Sequence, residues 1–105
     1  VISFAEHNSV YTAAFKNIFD WISRIEKIVW YNKPMLLLST SDGSRGAKTV
    51  LEIAHKRISR GNPNSIPIFS LPNFDDNFEI NKGITNSKLN KEFKKSLELF
   101  TINLS

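Results

Sequence analysis

Apolar residues in this chain gather in three short runs, and stretches with a helical repeat follow each of them. Val1 to Phe4 is the first run. After it, Val10, Ala14, Phe15, Ile18, Phe19, Ile22 and Ile25 recur at helical spacing, which predicts an amphipathic helix of about four turns capped by Asn8 or Ser9. Met35 to Leu38, continuing into Ser39 and Thr40, is an unbroken apolar run following Lys33-Pro34, as expected of a strand covered on both faces. Ala47, Val50, Leu51, Ala54 and Ile58 mark a second helix that ends near Gly61-Asn62-Pro63. Ser65 to Leu71 predicts a third strand, in which Pro67 marks either a sheet edge or the strand's entry point. Asn73 to Asn86 is polar and predicts a long surface connection pinned by Phe74 and Phe78. Ser87 to Phe100 predicts a last helix with Leu89, Phe93, Leu97 and Phe100 on one stripe.

Strands alternating with helices predict a parallel sheet with right-handed crossovers, so the chain is an α/β fold of three βα units. Such sheets bind ligands at the carboxyl ends of their strands. Attention therefore falls on two segments: Ala5-Glu6-His7-Asn8 after the first strand, and Ser41-Asp42-Gly43-Ser44-Arg45-Gly46 after the second.

Composition changes this picture little. Residues 1–105 suffice for one small domain, and 41% hydrophobic with 23% charged residues is ordinary for a globular one. No cysteine is present, which excludes disulfides, thiolate metal sites and a thiol nucleophile, and fits a cytoplasmic protein. The longest apolar run is far shorter than the roughly 20 residues of a membrane span, so no membrane partner is expected. A net charge of +4 raises the question of nucleic acid, but the basic residues are dispersed and lack interleaved aromatics, so no nucleic-acid partner is expected. His7 and His55 have no ligand spacing around them that suits a metal. A Ser41, His7, Asp42 hydrolase is disfavoured because the Gly-x-Ser-x-Gly elbow is missing.

The two segments and their surroundings resemble the NADPH-dependent FMN reductase family, a flavodoxin-like group that includes quinone, azo-dye and chromate reductases. The family carries a Pro-Glu-Tyr-Asn loop and then a helix containing Leu-Lys-Asn-Ala-Ile-Asp-Trp. Here Ala5-Glu6-His7-Asn8 and Phe15-Lys16-Asn17-Ile18-Phe19-Asp20-Trp21 stand at those places with similar spacing. Lys33-Pro34 before the second strand, the Ser39 to Gly46 loop followed by Ala47, and Ser70-Leu71-Pro72 with Phe74 extend the likeness along the chain. Ala5 and His7 depart from the usual Pro and Tyr.

The resemblance implies a flavodoxin-like three-layer parallel sheet holding the family's third to fifth strands. Residues 1–105 are then a single partial domain without the phosphate-binding part that the family places earlier. It also implies FMN and NAD(P)H as cofactors, with hydride passing from the nicotinamide to flavin N5 and electrons then going to a small-molecule acceptor: a quinone, an azo compound, free flavin or a metal oxyanion. Glu6, His7 and Asn8 are expected beside the flavin ring, His7 either stacking on it, assisting proton delivery or lying free in solvent. Ser41, Asp42, Gly43 and Ser44 are expected near the flavin edge and nicotinamide pocket, with Arg45 holding either the NADPH phosphate or Asp42. The helix with Trp21 is expected to serve a homodimer or homotetramer. Two other readings remain: a non-catalytic fragment or interaction module with an incomplete flavin site, and a flavodoxin-like electron carrier.

Overall fold

The computed structural model describes residues 1–105. Three parallel strands form its sheet in the order β1 (Ile2–Phe4), β4 (Leu37–Thr40), β5 (Ile68–Leu71). Ile2, Leu37 and Ile68 share one register position, Ser3, Leu38 and Phe69 the next, and Phe4, Ser39 and Ser70 the third. Side chains alternate between faces along a strand, so Phe4, Leu37 and Ser39 point together to one side. That side carries the core, where Phe4, Met35 and Leu37 meet Val50, Leu51, Ala54 and Ile58 of α2 (Lys48–Ile58) and Phe15 of α1 (Ala13–Ile25). The opposite face presents Ser3, Leu38 and Phe69. There α4 (Ser87–Leu104) covers β5, with the Phe93 and Phe69 rings 5.4 Å apart, while Ser3 stays exposed and Leu38 half-buried. Helices thus lie on both faces, as the unbroken apolar run of β4 requires.

The first segment departs from expectation. Glu6 and His7 form β2, Val10 and Tyr11 form β3, and the pair is an antiparallel hairpin with His7 opposite Val10. Asn8 and Ser9 form its two-residue turn, at φ 51° and 68°. Left-handed backbone at both turn positions gives the mirror-image turn whose twist suits a hairpin, and asparagine tolerates it well. Asn8 and Ser9 therefore do not cap α1. Thr12 does, its Oγ1 accepting the Phe15 N–H at 3.1 Å, and Val10 belongs to the hairpin rather than the helix.

Three further elements are corrected. The third strand starts at Ile68, because Pro67 has no N–H for a ladder; its carbonyl accepts the Leu37 N–H at 3.2 Å. The connection after Leu71 contains a short helix α3 (Phe74–Asn77) and a hairpin of β6 (Phe78–Glu79) with β7 (Gly83–Ile84); Phe74 and Phe78 stack with centroids 4.9 Å apart. On α4 the inward stripe is Leu89, Phe93, Ser96 and Phe100, with Leu97 at the surface. Ser96 faces inward because β5 is an edge strand: its hydroxyl donates to the Ile68 carbonyl at 3.0 Å.

Candidate functional site

Because the three strands are parallel, the hairpin after β1, the Ser41 to Gly46 loop after β4 and the Pro72-Asn73 turn after β5 all lie at one edge of the sheet. Neighbouring strands run about 4.8 Å apart, so the first two segments are adjacent. A specific contact ties them. Helix α2 starts from Ala47, a left-handed residue with no side chain able to cap it. Glu6 reaches across from the hairpin instead, and its Oε1 accepts the Val50 N–H at 2.9 Å. A carboxylate is the favoured partner of these unpaired donors at the positive end of a helix.

The Ser41 to Gly46 loop is held from below and beside. Ser39 and Ser70 each donate a hydroxyl to the Gly46 carbonyl, at 2.8 and 2.9 Å. Gly46 lies at φ 60° so close to β5 that a Cβ there would come within 2.8 Å of the Leu71 backbone. Only glycine fits. The Asn73 N–H donates to Gly43 O and the Phe74 N–H to Ser41 O, at 2.9 and 3.0 Å, so the loops after β4 and β5 are zipped together. Asp42 Oδ1 accepts the Asp75 N–H at 3.0 Å. The negative charge of Asp42 and a hydrogen bond to it hold the Asp75 carboxyl above its ordinary pKa.

Each expected residue can now be placed. Glu6 is half-buried and engaged with α2; His7 and Asn8 are exposed on the hairpin. Ser41 Oγ accepts the Gly43 N–H at 3.2 Å, and Asp42 braces α3. Gly43 and Ser44 are exposed at the loop crest. Arg45 donates to Thr49 Oγ1 at 3.0 Å and forms no ion pair with Asp42. Among the backbone N–H groups at this edge without an acceptor in the protein are those of Asn8 and Ser9 at the hairpin turn and of Asp42 and Ser44 in the loop. The hairpin and its free turn donors were missed in the sequence. Their signal was the pair Asn8-Ser9 between two residues on each side able to form strand.

Behind the hairpin runs an aromatic ladder. Phe4, Tyr11, Phe15, Phe19 and Trp30 follow one another with centroids 5.0 to 5.9 Å apart, and the Arg57 guanidinium lies 5.1 Å over Phe19. Burial raises the Tyr11 phenol above its usual pKa, while Arg57 and Lys16 pull the other way. The ladder gives the exposed hairpin a rigid back.

A family model described as NADPH-dependent FMN reductase matches residues 1–67, from β1 to the residue before β5. The chain belongs to the NADPH-dependent FMN reductase family. Every candidate residue on the hairpin and on the Ser41 to Gly46 loop falls inside the matched region. No curated protein and no solved structure matches the chain. The parallel sheet flanked by helices agrees with the flavodoxin-like arrangement of the FMN reductase family. No helix is long and apolar enough to cross a membrane.

The cofactor that the FMN reductase family implies can be tested against the donors present. The isoalloxazine ring carries carbonyl oxygens and ring nitrogens along its polar edge, which need N–H donors. Unpaired N–H groups on two adjacent, braced loops are the right chemistry for that edge, and Gly43 leaves the approach to the loop crest open. The residues fit.

Proposed function

We propose that this chain serves as the flavin-edge part of an NAD(P)H-dependent FMN oxidoreductase. The observation that carries this reading is the bond from the Val50 N–H to Glu6, which fixes the hairpin beside the Ser41 to Gly46 loop and leaves two sets of backbone donors free side by side. Bound FMN supplies the redox chemistry, taking hydride from NAD(P)H and passing electrons to a small-molecule acceptor. The protein's share is position. Asn8 and Ser9 N–H groups, with those of Asp42 and Ser44, hold the polar edge of the ring, and His7 covers it at the hairpin. Glu6 and Ser41 act as positioning residues, and Asp42 fixes the loop from behind. Such preformed donors lose little freedom on binding, which favours a defined ring orientation.

FMN titrated into the purified protein, followed by amide NMR, tests this. We expect the amides of His7 to Ser9 and Asp42 to Ser44 to shift together while those of Leu99 to Leu104, at the far end of α4, stay in place. Shifts confined to other residues, or none at saturating flavin, would refute the assignment.

A homodimer through α1 belongs to the same proposal. Ala14, Ile18, Trp21 and Ile25 follow one another at steps of four, three and four residues on the outer face of α1, and the last three are 60%, 70% and 76% exposed. That spacing is the seam by which two helices pack, and monomers seldom leave so continuous an apolar stripe in water.

A further inference from the structure

A second site lies at the opposite edge of the sheet. The connections that enter β4 and β5 both run along the amino ends of the strands, and between them is a cavity of about 230 Å³. Lys27, Arg57 and Arg60 line it, and no acidic side chain does. None of the three forms an ion pair. The Glu26 carboxylate, next to Lys27 in the chain, holds the Tyr31 phenol above its usual pKa.

The walls are built rather than loose. Tyr31 and Asn32 are both left-handed, at φ 53° and 57°, and close a tight turn in which the Lys33 N–H donates to Trp30 O at 3.0 Å. Asn64 donates to the Asn32 carbonyl and Asn62 to the Lys33 carbonyl, at 2.8 and 3.3 Å, which clamps one connection to the other. Non-glycine residues in this backbone region cost free energy and persist only where surrounding contacts enforce them. Arg57 is anchored over the Phe19 ring. Trp30 belongs to the same wall, and its buried Nε1–H is a side-chain donor without an acceptor.

We infer that this cavity is a binding site for a small phosphoryl anion, either free phosphate or pyrophosphate or the phosphate group of a small ester. Three unpaired cations lining one concavity create a positive potential that an oxyanion neutralises, and Arg forks match phosphate oxygens in pairs. A cavity of about 230 Å³ exceeds the roughly 30 Å³ share of one water several-fold, so it admits an oxyanion and part of its hydration. The site is independent of the flavin edge.

The test is a titration of the whole chain with inorganic phosphate, pyrophosphate and ribose 5-phosphate, ionic strength being held constant with chloride. The two indole N–H resonances are the readout. The Trp30 signal should move saturably and the signal of Trp21, which is 70% exposed, should not. Lys27→Ala and Arg60→Ala should each weaken binding roughly two- to five-fold, as the loss of one exposed charge contact does, and the double variant roughly four- to twenty-five-fold. Tighter binding of ribose 5-phosphate than of phosphate assigns the ester; tighter binding of phosphate or pyrophosphate assigns the free anion. An unmoved Trp30 signal, an equal response to chloride alone, or an unchanged response in the double variant would overturn the proposal.

Discussion

Removing the Glu6 carboxylate should loosen α2 from its first turn. Val50 is fully buried, so its N–H has no water to turn to once the acceptor at 2.9 Å is gone. A hydrogen bond to a charged group contributes about 1.5–3 kcal/mol, and Ala47 offers no substitute cap. Glu6→Ala should therefore destabilise the fold by about 2 kcal/mol, a fall in Tm on the order of 10 °C for a chain of this size. Glu6→Gln keeps an oxygen acceptor and loses only the charge at the helix terminus, so it should cost about 0.5–1 kcal/mol. Urea unfolding gives the two free energies, and native-state hydrogen exchange at the Val50 amide reports the local effect. If Glu6→Ala left Tm and Val50 protection unchanged, or if Gln were as costly as Ala, the trans-cap explanation of how the hairpin is fixed would be refuted.

Other outcomes follow from single contacts. Gly46→Ala drives a Cβ to 2.5 Å from Ser70 Oγ and 2.8 Å from the Leu71 backbone, so it should cost about 3 kcal/mol or more, whereas Gly61→Ala, left-handed but in open space, should cost only about 1–2 kcal/mol by urea unfolding. Asp42→Asn keeps an acceptor for the Asp75 N–H while removing the charge, and the Asp75 carboxyl, followed by NMR titration, should then ionise at lower pH than in the parent protein. Burial favours neutral Tyr11, so its folded pKa lies above the unfolded one. Its contribution is fully present below the ordinary tyrosine range and is lost as pH rises through the folded value; Tyr11→Phe should extend stability to higher pH in alkaline unfolding followed by circular dichroism. Trp21→Glu places a charge in the middle of the α1 stripe; in analytical ultracentrifugation the parent is expected to sediment as the proposed dimer and the variant as a folded monomer.

The chain order of strands and helices was legible in the sequence because each principal element carries its own period. Met35 to Leu38 had the length of a covered strand, and Pro67 marked the entry to β5. The parallel sheet then fixed which ends of the strands would hold ligand loops, and residue identity at Ala5 to Asn8, Phe15 to Trp21, Lys33-Pro34, Ser39 to Gly46 and Ser70 to Pro72 together suggested the family. What sequence could not reveal was how those loops are held. The reading of Val10 as helix failed because an apolar residue at helical spacing is equally compatible with a two-residue strand, and only the left-handed Asn8-Ser9 turn decides between them. Glu6 is 44 residues from the amide it accepts, and Asp42 is 33 from its own. Partnerships over such separations depend on which strands lie side by side, a property of the assembled sheet. The cationic cavity has the same origin: Lys27, Arg57 and Arg60 look dispersed along the chain and meet only because crossovers return both connections to one edge. Local pattern thus determined the elements, while strand order and the geometry of close approach decided which polar groups are spent on structure and which remain free to bind.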